Sequence, residues 1–112
     1  MVFFDKDIQT NELDEKSSRK ILAHDDDLMV CHLWFKKGGV GSLHQHPHTQ
    51  IAYILKGKFE FNVEGEKTVV TAGDSIYIPG NAEHGLVCLE EGEVLDIFTP
   101  ERKDFLGVDD VI

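Results

Sequence analysis

Gly38-Gly-Val-Gly-Ser-Leu-His44-Gln-His46-Pro-His-Thr-Gln50 is the stretch on which the reading of this chain turns, and its counterpart follows at Gly73-x5-Pro79 and His84. Along an extended segment side chains alternate with a period of two, so His44, His46 and Gln50 share parity and aim at one face. Pro47 argues for a local bend within that stretch. Three imidazoles and a side-chain amide at these spacings look like a metal site built across two β-hairpins. Imidazole suits zinc, nickel, copper, iron and, with oxygen ligands, manganese; four neutral ligands leave a position for water or substrate at a five- or six-coordinate ion. A single His near a turn carries no such meaning. Ligand-type side chains in register do.

Outward from that stretch the chain is a series of short β-type segments: Arg19 to Ala23, Leu28 to Phe35, Gln50 to Leu55, Phe59 to Val63, Thr68 to Thr71, Ser75 to Ile78, Leu86 to Leu89 and Val94 to Phe98. Each is rich in β-branched or aromatic residues. Turn signals punctuate them at Gly38-Gly39-Val-Gly41, Lys56-Gly57-Lys58, Glu64-Gly65-Glu66, Ala72-Gly73-Asp74, Pro79-Gly80-Asn81 and Glu91-Gly92-Glu93. Many short strands without long helical periodicity predict an antiparallel sandwich or barrel. The tail carries one helical signal, with Thr99 as N-cap and Pro100 at the first helical position. In the strand before it Val94, Asp96 and Phe98 share one face and Leu95 and Ile97 the other. Asp96 among apolar neighbours faces either solvent or the barrel mouth, since alternation does not say which face is inside.

Composition narrows the function. With 112 residues, 41% of them hydrophobic, the expectation is one domain over 1–112, able to bury a single core without staples. Cys31 and Cys88 form no disulfide framework, and Cys88 reads as a core residue. A net charge of −10 repels phosphate backbones and anionic lipid, which argues against nucleic-acid and membrane-surface roles. It also works against an anionic small substrate unless a divalent metal and a well-placed Arg supply local positive charge. Asp25-Asp26-Asp27 reads as a solvated turn. The amino terminus lacks a basic region followed by an apolar run, and no stretch approaches ~18 apolar residues, so a cytoplasmic location is expected.

Gly38-x5-His44-x-His46-x3-Gln50-x6-Gly57 resembles the first cupin motif, with Gln50 where Glu is usual. Gly73-x5-Pro79-x-Asn81-x2-His84-x3-Cys88 resembles the second, with Asn81 in place of Gly and Cys88 in place of Asn. Asn tolerates the left-handed conformation better than most residues, so the first of these departures is mild. The resemblance implies an all-β fold, a small antiparallel double-sheet β-barrel of the cupin or jelly-roll type with at most a short C-terminal helix. It also implies one divalent metal ion on His44, His46, Gln50 and His84, with nickel, zinc, manganese and iron all compatible.

The run Asp96-Ile-Phe98-Thr-Pro-Glu-Arg102-Lys-Asp-Phe-Leu106 is similar to the signature of the single-domain KdgF-type cupins of pectin and alginate catabolism. Their pattern Asp-x-Phe-x3-Arg is met by Asp96, Phe98 and Arg102, and the same family places Gln at the position of Gln50. Other segments, such as Ser18 to His24 and Cys88 to Gly92, are also similar, so the resemblance covers nearly the whole chain. It implies metal-dependent ring opening and tautomerisation of a 4,5-unsaturated monouronate, a small anionic sugar, to its linear keto form. In that reading Asp96 is the catalytic proton carrier, Arg102 forks onto the substrate carboxylate, and Phe98 walls the pocket. Residue type alone favours reading Phe98 as an ordinary core aromatic and Arg102 as a surface residue.

Two other classes compete: a metal-dependent cupin dioxygenase, and a non-catalytic cupin that binds a sugar or other small ligand. The neutral Gln50 counts against the first by disfavouring the higher oxidation states that oxygen chemistry uses. His48 suggests a supporting role beside the metal or at the pocket rim. His24 and His32 read as structural, and Trp34 and Phe35 as core or interface residues. A homodimer is expected from the apolar content of Val2-Phe3-Phe4 and of Leu28 to Phe35.

Overall fold

Two long strands organise the chain, and a pair of glycines decides how they bend. The structure is a computed structural model that describes residues 1–107. Its strands are β1 (Asn11–Asp14), β2 (Ser17–Asp25), β3 (Leu28–Phe35), β4 (Val40–His44), β5 (Thr49–Val63), β6 (Glu66–Thr71), β7 (Ser75–Ile78) and β8 (His84–Thr99). β5 and β8 pair antiparallel over nearly their whole lengths, Thr49 opposite Thr99 and Val63 opposite His84. The half from Thr49 to Lys56 continues outward through β7 on one side and through β8 to β3, β2 and β1 on the other. The half from Lys58 to Val63 continues through β6, and its partner stretch of β8 through β4. Folding the ribbon over at its middle gives the all-β, antiparallel double-sheet barrel expected from the sequence.

Lys56-Gly57-Lys58 and Glu91-Gly92-Glu93 are therefore not hairpin turns, as their composition suggests, but the bend itself. The register of β5 against β8 shifts repeatedly between Ile54 and Phe59. Gly57 has φ of +89°, and a Cβ there would fall 2.5 Å from the Glu91 carbonyl oxygen and 2.6 Å from the Gly92 Cα. Each backbone fills the space that a side chain on the other would need. The extra residue also flips the parity of β5: Gln50, Ala52 and Ile54 point inward before the bend, Phe59 and Phe61 after it.

The core between the two halves takes the inward residues of β3, Met29, Cys31, Leu33 and Phe35, together with Phe59, Cys88, Val94 and Phe98. Phe59 is fully buried and meets Phe35 edge-on at 5.6 Å; truncating such a ring to Ala costs about 3–5 kcal/mol. More than half of the apolar residues of β3 are thus spent inside this chain, while Trp34 lies on the outer face, stacked on His32 at 3.8 Å. β1 was not legible because its Asn-Glu-Leu-Asp sequence has no apolar alternation and all four residues are exposed.

The tail also differs from its sequence signal. β8 runs through Thr99, and the short 3-10 helix begins only at Lys103 and ends at Leu106. Thr99 and Pro100 do not start a helix because the next residue is held elsewhere. The Glu101 N–H donates to the Asp26 carbonyl at 3.1 Å, and its carboxylate meets His24 Nδ1 at 2.8 Å. The acidic Asp25–Asp27 turn is exposed as expected, and through Asp26 it anchors this corner.

Candidate metal centre

His44, His46 and Gln50 do not sit on one continuous strand. β4 ends at His44 and β5 begins at Thr49, so residues 45–48 form the bend that Pro47 foreshadows. What brings the ligands together is cross-strand pairing: His44 lies opposite His84, the first residue of β8. The loop between the strands is held by the Asn81 N–H, which donates to the His46 carbonyl at 2.7 Å. Asn81 adopts φ of +65°, the left-handed backbone for which Asn stands in for Gly.

The result is a triangle. One ring nitrogen each from His44, His46 and His84 lies within 4.8 Å of the others, and this is the one cluster of its kind among the described residues. Each ring uses Nδ1 against a backbone carbonyl: His44 on Ser42 at 2.8 Å, His46 on His48 at 3.1 Å and His84 on Ala82 at 2.9 Å. A carbonyl only accepts, so Nδ1 carries the hydrogen and Nε2 keeps its lone pair. The buried Nε2 of His84 has no hydrogen-bond partner. Burial, with the charge of Arg102 and the neighbouring imidazoles, pushes His46 down to about 4. Burial also lowers His84. Both rings are therefore neutral at pH 7, as metal ligation requires.

Gln50 completes the set. Its Nε2 donates to Asp96 Oδ1 at 2.9 Å, which fixes the amide so that Oε1 faces His46 Nε2 at 3.1 Å. With His46 protonated on Nδ1, that last contact brings two lone-pair donors together. Such an approach is unfavourable by itself and natural for two groups converging on a cation. The orphaned Nε2 of His84 and this pair are the observations by which the site fits a divalent ion. His48 is buried rather than at the rim; its ring packs on His46 at 5.4 Å and its carbonyl orients the same imidazole.

A cavity of about 220 Å³ opens beside the triangle, and Gln50, Asp96, Phe98 and Arg102 all line it. Asp96 thus faces the barrel interior rather than solvent. Burial pushes its carboxyl up to about 6, against the opposing pull of the Gln50 amide and of Arg102 and Arg19. Phe98 satisfies both readings at once: it is 2% exposed, belongs to the core, and meets His46 edge-on at 5.8 Å. Arg102 is buried and lies over Phe105, with its central carbon 4.1 Å from the ring centre. One edge of its guanidinium is engaged by Asp104, from Nε at 2.9 Å and Nη2 at 2.7 Å.

Arg19 was missed by sequence reasoning. It lines the same cavity, with its guanidinium 3.7 Å from the centre of the Phe105 ring. The signal that marks it is parity: β2 sets Ser17, Arg19 and Ile21 opposite Phe35, Leu33 and Cys31, the inward residues of β3.

The family model described as Cupin domain matches residues 32–98. The chain is 45% identical over 106 residues to the pectin degradation protein KdgF of Dickeya dadantii, covering 93% of this chain and 96% of that one. Among solved structures it is similar to KdgF from Halomonas sp., with a TM-score of 0.88 and 38% identity, covering 94% of this chain and 97% of that one. It is also similar to an RmlC-like cupin from Shewanella frigidimarina, with a TM-score of 0.88 and 36% identity over 93% and 94% of the two chains.

Proposed function

The chain belongs to the cupin domain family and, within it, to the KdgF proteins of pectin degradation, and from that premise we propose that it is a divalent-metal-dependent enzyme that opens 4,5-unsaturated monouronates to their linear keto form. The observation that carries the proposal is the Gln50 amide. One side chain turns its oxygen to the imidazole triangle and its nitrogen to Asp96, so a carboxyl stands beside an ion site on the wall of the cavity.

The reaction needs little more. The substrate ring is both a hemiacetal and an enol ether. Opening it removes the proton of the anomeric hydroxyl, forms the C1 carbonyl and breaks the bond from C1 to the ring oxygen, which departs as an enolate. The enolate becomes a ketone as the adjacent vinyl carbon takes up a proton. One proton leaves and one arrives, so a single carboxylate serves as base and then acid. Asp96 Oδ1 is held by Gln50, which leaves Oδ2 to carry the proton. Phe98 closes the cavity against water, and Arg102, over the rings of Phe98 and Phe105, offers its remaining edge to the substrate carboxylate. A divalent ion on His44, His46, Gln50 and His84 supplies, when bound, Lewis-acid stabilisation of the developing negative charge. The neutral Gln50 leaves that site one unit more positive than Glu would.

The test is loss of the enol-ether ultraviolet absorbance of freshly prepared unsaturated galacturonate, corrected for spontaneous opening. Acceleration is expected from the metal-replete wild type and not from metal-stripped protein or Asp96→Asn. No acceleration by metal-replete wild type sinks the enzyme reading and leaves a ligand-binding cupin. A homodimer belongs to the same proposal, supported by the exposed Phe3, Phe4, Tyr53 and Tyr77. A monomeric mass by light scattering at micromolar concentration overturns it.

A further inference from the structure

The guanidinium of Arg19 is a cation in a place where a cation needs an anion. It lies on the cavity wall and stacks on Phe105 at 3.7 Å. Its Nε is shut off from water and has no hydrogen-bond partner, and no carboxylate among the described residues forms an ion pair with it. A buried or half-buried charge left in this state is costly unless something arrives to compensate it. Arg102, on the same Phe105 ring, is the opposite case, because Asp104 already holds two of its N–H groups. The chain as a whole carries −10, yet this cavity has two arginines on its wall and Asp96 as the one carboxylate among its lining residues.

We propose that Arg19 is a substrate-binding residue that receives the carboxylate of the sugar acid, and that it contributes more to carboxylate recognition than Arg102 does. The inference rests on the uronate reading above and adds the group that makes the cavity selective for an acid. A planar fork stacked on an aromatic ring is pre-organised to take a carboxylate at its edge, which Lys cannot copy. The desolvation that burial imposes on Arg19 works against its charge, and an arriving anion relieves it. Charge-assisted hydrogen bonds of this kind change affinity by roughly tenfold to a hundredfold.

Calorimetric titration of metal-loaded protein with D-galacturonate and with its neutral methyl ester reads the carboxylate directly. Wild type is expected to prefer the acid. Arg19→Gln should weaken acid binding by about tenfold or more and leave the ester unchanged, Arg19→Lys should fall between, and Arg102→Gln should lose less than Arg19→Gln. The ratio of acid to ester within each protein corrects for any loosening around Phe105. Equal weakening of acid and ester, an unchanged ratio, or a wild type without preference for the acid each overturn the assignment. Turnover of unsaturated galacturonate separates the two claims. An acid preference carried by Arg19 without turnover keeps Arg19 as an anion site and removes the enzyme, whereas turnover with KM unmoved by Arg19→Gln keeps the enzyme and removes Arg19.

Discussion

His84 and His32 are both histidines on the barrel's strands, and what their nitrogens meet separates them. His84 uses Nδ1 on the Ala82 carbonyl and leaves a buried Nε2 without a partner, facing two other imidazoles. His32 uses Nε2 on the Glu93 carboxylate at 2.8 Å, on the outer face of the sheet, and His24 makes the same kind of tie to Glu101. A carbonyl partner selects a tautomer and leaves the other nitrogen available for chemistry. A carboxylate partner spends the side chain on joining two elements. The two arginines of the cavity divide in the same way, Arg102 tied to Asp104 and Arg19 without such a tie.

The largest effect tests the division itself. His84→Ala should lower bound metal to less than about a tenth of the wild-type content and lower kcat/KM by at least a hundredfold, since even the groups that merely orient ligands are worth 10–100-fold. His32→Ala should leave both unchanged. Metal analysis after gel filtration reads the outcome, and equal metal loss in the two variants breaks the distinction. Next in size is Gln50→Glu. It should retain metal, but it sets a second carboxylate against Asp96 where the amide now donates at 2.9 Å. Two such carboxylates cannot both ionise freely. Turnover is expected to fall by about a hundredfold, the low end of what a proton-transfer group contributes; a fully active Gln50→Glu would show that the amide's donation to Asp96 is dispensable.

How much of this was legible follows the same lines. The imidazole triangle was, because the residue types and spacing carry the chemistry whichever loop delivers them. The facing of Asp96 was not, because alternation is symmetric until β3 and β5 are known to flank β8. Arg102 lies beyond Pro100, where strand parity ends, and only its family pattern singled it out. Arg19 needed the register of β2 on β3, since Arg is so often exposed that the residue type gives no warning. Gly57 and Gly92 mislead for a related reason. A glycine between charged residues is the ordinary mark of a turn, and its use here depends on a second glycine on a distant strand.

The carboxylate ties should differ among themselves by burial. Glu101 is 7% exposed, so His24→Ala leaves its carboxylate desolvated and unpaired, at about 1–3 kcal/mol. For a chain of this size that is a melting temperature lower by roughly 4–8 °C for each kcal/mol. Glu93 keeps more solvent, so His32→Ala should cost less than about 1 kcal/mol. Thermal melts at pH 7 rank the two, and an equal or reversed ranking would show that burial of the acid is not what sets the cost.

The smallest effect is the tie inside the cavity wall. Burial acts to raise the Asp104 carboxyl, but the hydrogen bonds and charge of Arg102 outweigh it and hold the group below its ordinary value. A carboxyl lowered in the folded state stabilises the fold above its unfolded pKa, near 3.8, and that contribution disappears as pH falls through the lower folded value. Asp104 is 42% exposed, so solvent screening keeps the contribution well under about 1 kcal/mol. Asp104→Asn should therefore melt slightly below wild type at pH 7, with the gap closing below about pH 4. Its use lies in what it does to recognition: releasing the Nε edge of Arg102 at neutral pH gives the cavity a second open guanidinium. If carboxylate binding then rises, it was the tie to Asp104 that held Arg102 back. If binding is unmoved while Arg19→Gln still abolishes the acid preference, Arg19 holds the carboxylate whether or not Arg102 is tied.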